Sequence, residues 1–281
     1  MKSQILFILV NYFNEEDTIS FVRNQVMKQS FRNFVVVIVD NGSKELNSLS
    51  NLAGAYSNVY LFASPKNLGY LGGAHYGLEM YMKSNPGLPD GIILSNSDLE
   101  FGDVTLIEKL HTKYLVTPTD IAIVGTSIYS PETGVNQNPF AKKRISRMKL
   151  LFLKAIFSNH FVYTMYELIS FVKRKVSARS DASDSTGIVD PVYAVHGSFF
   201  LLTKEFFGKG GTLHYPSFLF GEEIFLAEQT MLMNLKVCFD SNLKVIHHEH
   251  STTAVVKSRV LVKYMHDSVS YLIATYFQRK K

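Results

Sequence analysis

Short apolar runs alternate with helix-like segments along the first hundred residues, and each run ends in a cluster of polar residues. Positions 4–10, 34–39, 59–63 and 91–94 read as strands. The run 34–39 (FVVVIV) is continuously β-branched or aromatic, the pattern of a strand covered on both faces. Between them, 15–29 has helical composition with Asn14 as its N-cap, 43–56 is compatible with a helix, and 72–83 reads as a helix opening in a glycine cluster. This βαβαβαβ rhythm predicts an α/β fold with a mostly parallel central sheet and right-handed crossovers, in which ligands sit at the carboxyl ends of the strands.

The second half has a different texture. Residues 126–146 read as loop, and 147–175 are apolar with basic flanks and a break at Ser158-Asn159-His160. Residues 179–190 are polar. Strands are expected at 192–202 and 237–246, around a helix at 222–234. The expected organisation is one domain over 1–254, with a nucleotide-binding half (1–125) and an acceptor-side half (126–254) that carries the insert 142–176. A helical tail occupies 255–281.

Charge sharpens this division. The chain of 281 residues carries a net +5, yet 142–176 holds nine basic residues and one acidic residue, a net of +8, which leaves the remainder at −3. A basic surface confined to one insert argues against a nucleic-acid binder and for one specific partner. In 147–175, Lys154, Asn159, His160 and Glu167 interrupt a spanning helix. In the second piece His160, Thr164, Glu167 and Arg174 share a helical face, and the apolar residues lie opposite. An amphipathic helix on an anionic membrane is the expectation, with a helix pair packed on the protein or on a dimer partner as the alternative. The initial apolar run is too short for an export signal, and a single cysteine (Cys238) allows no internal disulfide. Both fit a cytoplasmic, reducing location on the inner membrane face.

Polar residues gather at the strand ends: Asn11, then Asp40-Asn41-Gly42-Ser43, Asn67-Leu68-Gly69, and Asn96-Ser97-Asp98. Each alone is turn chemistry, whereas four on one sheet edge point to a ligand site. Asp98 is suited to a hard divalent cation. Gly221-Glu222-Glu223 follows the aromatic run Phe218-Leu219-Phe220, so burial would raise a carboxyl pKa toward that of a general base; acids in a first helical turn also favour the dipole. His247-His248-Glu249-His250 ends a strand. A closed zinc site there would have to recruit Cys238, His196 or His214 through the fold. The other readings are one histidine at a metal-diphosphate site, or solvated and structural histidines.

In order and spacing, ILVNYFN, VVIVDNGS, PKNLGYLGGAHYG, ILSNSD, VHGSFFLLTKEFF, FLFGEEIFLAEQ and VIHHEHST resemble the GT-A-fold glycosyltransferases of family 2, especially bacterial rhamnosyltransferase-like members that build surface polysaccharides. The resemblance runs from Ile5 to about Thr253. It implies a GT-A-like sheet and an inverting transfer of a hexosyl or deoxyhexosyl group. The donor would be a UDP- or dTDP-linked sugar and the acceptor a glycan or lipid-linked hydroxyl. It places Asn11 and Asp40 at the base and ribose, Asn67 and Gly69 on a second nucleotide-side loop, and Gly197 at the sugar. Asn96-Ser97-Asp98 matches a DxD motif in which Asp98 holds Mg2+ or Mn2+, and His247 or His248 approaches that metal. Glu222-Glu223 matches the acidic pair whose second member is the usual base.

The chain also departs from the family pattern. Asn96 replaces the first aspartate, Glu223 replaces the commoner Asp, and Ala74-His75 stands where relatives often carry Asn-Asn. With no Trp, the acceptor platform falls to Tyr193, Tyr215, Phe218 and Phe220. The rival activities are a nucleotidyltransferase, for which 11–17 lacks a basic glycine-rich phosphate loop, and a degenerate sugar-nucleotide-binding protein, which Asn96 favours and Asp98, Glu222 and Glu223 disfavour.

Overall fold

A computed structural model describes residues 4–43, 46–117, 119–177, 189–248 and 258–278. Strand β1 (Ile5–Asn11) pairs in parallel with β2 (Phe34–Asp40) and with β4 (Gly91–Ser95), and β3 (Val59–Ala63) extends the sheet beyond β2. Every residue of β2 is buried, as expected of a run apolar on both faces. Successive side chains feed opposite layers. Leu6, Ile8, Val35, Val37 and Val39 pack with α3 (Tyr70–Ser84) and with α8 (Glu222–Leu232). Ile5, Phe7, Leu9, Val36 and Ile38 pack with α1 (Glu15–Phe21), α2 (Leu46–Ala55) and α4 (Leu106–Tyr114).

The sheet continues past β4 through β9 (Phe199–Thr203), β6 (Ile121–Ser130), β10 (Lys236–His247) and β5 (Leu99–Glu100). β9 runs antiparallel to both of its neighbours, β6 and β10 are parallel, and β5 closes that edge antiparallel. β7 (Val135–Asn136) hairpins onto β6, and β8 (Val189–Val192) lies antiparallel on β10. The expected mixed α/β fold with a mostly parallel core is the fold observed.

Three local expectations change. Residues 126–130 are strand rather than loop: β10 pairs with 126–129 and β7 with 129–130, so the small polar residues Thr126 and Ser130 are buried in ladders that their composition hides. The single strand expected at 192–202 is two, β8 and β9, separated by residues 193–198. That break sets Gly197 outside the ladder. The helix expected over 15–29 is α1, continued by one π-helical stretch, Val22–Val26.

The basic insert folds as α5 (Arg147–Phe157) and α6 (His160–Ser177), divided at Ser158-Asn159. Helix α9 (Arg259–Tyr276) buries Val262, Ser268, Val269 and Leu272 in the same layer as α5 and α8. Among the described residues no helix is long and apolar enough to cross a membrane. Residues 178–188, Glu249 and His250 lie outside the described residues.

Candidate functional site

The carboxyl ends of β1 and β2 are in register, with Asn11 opposite Asp40. Both are buried. The Asn11 amide donates to Asp40 Oδ1 (3.3 Å) and to the Ser43 hydroxyl (3.2 Å), and its Oδ1 accepts from Thr18 (3.0 Å). Its hydrogen bonds are therefore made within the protein, and Asn11 props Asp40. The Gly42 N–H and the Ser43 hydroxyl complete that carboxylate's partners.

Asn41, to which the sequence assigned no role of its own within its polar cluster, holds the next loop. Its amide donates to the Gly69 carbonyl (2.8 Å), and its Oδ1 accepts from Ser64 (2.9 Å). Asn67 Oδ1 accepts the Gly69 N–H (3.0 Å). Gly69 has φ 75 and ψ −169, and a Cβ added there would lie 1.9 Å from the Phe218 carbonyl oxygen. Only glycine lets this donor-side loop close on the run that precedes the acidic pair.

Asn96 donates its N–H to the Ser198 carbonyl (2.7 Å), and Ser97 accepts from Asn14 (3.3 Å). Asp98 follows at the sheet edge. Its Oδ1 is buried without a hydrogen-bond partner among the described residues, and it stands 3.3 Å from His247 Nε2. His247 Nδ1 meets Gln137 Oε1 at 2.7 Å. An amide oxygen there takes the Nδ1 proton, and the neutral imidazole of that tautomer presents its Nε2 lone pair to the carboxylate. Two acceptors facing each other call for a cation between them, and imidazole nitrogen with carboxylate oxygen is a donor set that Mn2+ and Mg2+ accept. These residues fit a divalent ion.

His248 turns away, pairing with Glu100 at 3.0 Å, and its N–H donates to the Asp98 carbonyl (3.0 Å). Strand alternation separates the two histidines. Of the two, His247 is therefore the one beside Asp98. The closed zinc cluster does not assemble. Cys238 is buried beside Tyr114 and Asp240, His214 stacks on His75, and the described residues contain no metal-holding group of three or more.

The second half of the site is the acidic turn. Phe220 (φ 70) and Gly221 (φ 80) reverse the chain immediately before α8. Tyr215 and Ser268 of α9 both donate to the Phe220 carbonyl, at 3.1 and 2.6 Å. Glu222 and Glu223 open the helix, the first buried and the second half-buried. Desolvation raises both carboxyl pKa values above the ordinary range, and repulsion from Glu223 raises that of Glu222 further. Backbone N–H groups pull back, that of Gly197 acting on Glu223. A Cβ at Gly197 would lie 3.0 Å from Glu223 Oε1.

Two further residues join the site: Tyr70, which the sequence reading passed over, and His196, which it named only as a possible recruit to zinc. Tyr70, the first residue of α3, donates to the Gly197 carbonyl (3.0 Å). Burial raises its pKa, followed by the fields of Glu222, Glu223 and Asp98, so one phenol feels all three carboxylates. His196 sits 6.0 Å from the His247 ring. Its Nδ1 accepts the Ser198 N–H, and burial together with His247 pulls its pKa down to about 4, against the effect of Asp98. Position beside NLG was the available signal for Tyr70. Of the aromatic residues expected to floor an acceptor site, Tyr193 and Tyr215 are buried and hydrogen-bonded, Tyr193 to Glu228 and Tyr215 to Ser268. Phe218 stays half-buried against Tyr264.

Several solved structures share this arrangement of elements. A crystal structure of GalNAc-T7 with UDP, GalNAc and Mn2+ superposes with TM-score 0.59 at 12% identity, covering 96% of this chain and 47% of that one. TarS 1-349 of S. aureus with UDP-GlcNAc gives 0.58 at 12%, covering 98% and 68%. The mannosyltransferase PcManGT from Pyrobaculum calidifontis with GDP-Man and Mn2+ gives 0.51 at 10%, covering 99% and 76%. The chain thus spans about half the length of GalNAc-T7, and at these identities the likeness is one of fold. No curated protein matches the sequence. The profile of glycosyl transferase family 2 matches residues 7–172, from β1 through the Asp98 edge into α6, while the acidic turn and His247 lie beyond it. More than half of the chain therefore carries the family's own sequence pattern on the fold of glycosyltransferases, and the protein belongs to glycosyl transferase family 2.

Proposed function

We propose that the protein transfers a hexosyl or deoxyhexosyl group, with inversion, from a UDP- or dTDP-linked sugar to a hydroxyl of a glycan or lipid-linked acceptor, in the building of a surface polysaccharide. The observation that carries this reading is the segment 196–198, which joins the two halves of the site: Ser198 accepts the Asn96 N–H at 2.7 Å, while Gly197 accepts the Tyr70 hydroxyl and lies beside Glu223. Metal-type and base-type carboxylates therefore face one cleft. The complexes of GalNAc-T7 with UDP, TarS with UDP-GlcNAc and PcManGT with GDP-Man support a nucleotide-sugar donor, and Mn2+ in two of them supports a divalent ion.

In this reading Asp40 and the Asn67–Gly69 loop hold the nucleoside, Asn96 and Gly197 line the sugar, and Asp98 with His247 holds Mn2+ or Mg2+. When bound, that ion would neutralise charge on the departing diphosphate. Glu223 takes the proton of the acceptor hydroxyl as its oxygen bonds to the anomeric carbon and the bond from that carbon to the diphosphate oxygen breaks. Its raised pKa suits this task, since a base works best with a pKa near the operating pH. Glu222, one residue earlier and also raised by burial, holds the pair's second charge or proton.

The test is kinetic and thermodynamic together. Glu223→Gln should lower kcat by about 100-fold or more, as expected for a lost general base, and leave donor binding intact. Thermal shifts with UDP-, dTDP- and GDP-sugars identify the donor, and their dependence on Mn2+ should disappear in Asp98→Asn. Inactivity of Glu222→Gln with an active Glu223→Gln would exchange the two roles. Full activity of both variants, or a donor shift indifferent to Mn2+ and to Asp98→Asn, would overturn the reading.

A further inference from the structure

Helix α6 is amphipathic, and its apolar side faces outward. Phe161, Val162, Met165, Leu168 and Ile169 are all exposed, Phe161 at 73%. Their spacing of i, i+1, i+4, i+7 and i+8 gathers them into one stripe of about 120°. On the other side Tyr163 is buried against Phe157, while His160, Thr164 and Glu167 are half-buried toward the body of the protein. This inverts the usual arrangement, in which the apolar stripe of a surface helix faces the core. Helix α5 extends the surface: Met148 and Phe152, one turn apart, are exposed at 71% and 58%, and the Phe152 ring meets Tyr166 of α6 at 6.2 Å. Seven large apolar side chains thus lie open within 148–169, more than the scattered apolar residues of an ordinary surface.

Cations border this surface. Lys142, Lys143 and Lys149 are exposed, whereas Arg144 is held in a bidentate pair with Glu228. The segment 142–176 as a whole carries nine basic residues and one acidic residue.

We propose that the outward stripe of α6 and the adjoining ridge of α5 dock the protein on an anionic lipid bilayer. The apolar side chains enter the acyl boundary and the cations meet the headgroups. The exposed lysines disfavour a second copy of the chain as occupant, because two surfaces of like charge would be brought together. The neighbouring segment 178–188 is also a poor cover, since its eleven residues include Arg179, Asp181, Asp184 and three serines. The proposal stands independently of the sugar-transfer reading.

Vesicle co-sedimentation tests it, comparing phosphatidylcholine alone with phosphatidylcholine containing about one third phosphatidylglycerol. Binding is expected on the anionic vesicles, and it should weaken as salt screens the headgroups. The pair Phe161→Ser and Ile169→Ser should lower the partition constant about ten-fold or more, since it removes two side chains from the acyl boundary. The triple change of Lys142, Lys143 and Lys149 to Gln should lower it by up to about five-fold per lysine. Because every one of these residues is exposed, melting temperatures should match the parent. If the serine pair nevertheless fails to fold, the lysine variant decides the matter. Absence of binding to anionic vesicles, equal binding to neutral ones, or variants that bind like the parent would overturn the proposal. A lipid-free dimer that Phe161→Ser dissociates, with no vesicle binding, would overturn it in favour of a self-association face.

Discussion

Replacing Gly69 by alanine separates the two halves of the site through a single methyl group. The residue's φ of 75 and ψ of −169 lie in a region that essentially only glycine occupies, and an alanine held there costs about 1–3 kcal/mol. The new Cβ would also sit 1.9 Å from the Phe218 carbonyl oxygen and 2.9 Å from its carbon. Contact at ordinary radii needs more than an ångström of further separation. That atom is backbone, and its residue is pinned through the Phe218 ring to Tyr264 of α9 at 4.7 Å. Overpacking of this kind adds about 1–3 kcal/mol, so a total loss of about 2–6 kcal/mol is expected. Over a chain of this length that lowers Tm by about 5–10 °C. Because the loop also carries Asn67, donor affinity should fall with stability.

The assay is denaturant unfolding and thermal melting with and without nucleotide. The control is Gly54→Ala, exposed in helix α2 with nothing within 4 Å of the new Cβ, which should gain about 0.5–1 kcal/mol. A loss below about 1 kcal/mol in Gly69→Ala, with nucleotide binding unchanged, would refute the close approach of the two loops.

Gly197→Ala should act on chemistry more than on folding. Its Cβ would press on Glu223 Oε1 at 3.0 Å, the mobile end of a side chain, so kcat should fall about ten-fold or more while stability changes by less than about 1 kcal/mol; an unchanged kcat would free Glu223 from that position. Glu222→Gln should stabilise the protein above neutral pH, by on the order of 1–3 kcal/mol. Its folded pKa is raised, so the native state binds more protons than the unfolded one and stability falls as pH climbs from the ordinary glutamate range to the raised value. The gain should therefore shrink as pH drops toward the ordinary range, and melting curves across pH that show a constant gain would refute the burial argument.

The half of the site at the ends of β1, β2 and β4 was legible because its signals are local. A strand covered on both faces must be apolar along its length, so β1, β2 and β4 stood out, and chain reversal at their ends left Asn11, Asp40 and Asn96-Ser97-Asp98 in view. Hydrophobic periodicity likewise placed α5 and α6 and the break between them. The same logic failed at β6, where Thr126 and Ser130 are strand only because β10 and β7 pair with their backbone.

Which residue of a pair reaches the site was beyond local pattern. His247 and His248 are chemically identical neighbours. Their difference is direction: His247, the last residue of β10, faces Asp98 and Gln137, and His248, just past the strand, faces Glu100. Tyr70, Asn41 and His196 carry no motif of their own, and their importance comes from partners 28 to 127 residues away, at Gly69, Asn138 and Gly197. The outward stripe of α6 shows the same limit. The sequence by itself determined that the helix has an apolar face and cationic borders. Only the packing of Tyr163 on Phe157 decided that this face points to solvent, because periodicity specifies a face and tertiary contacts specify its direction.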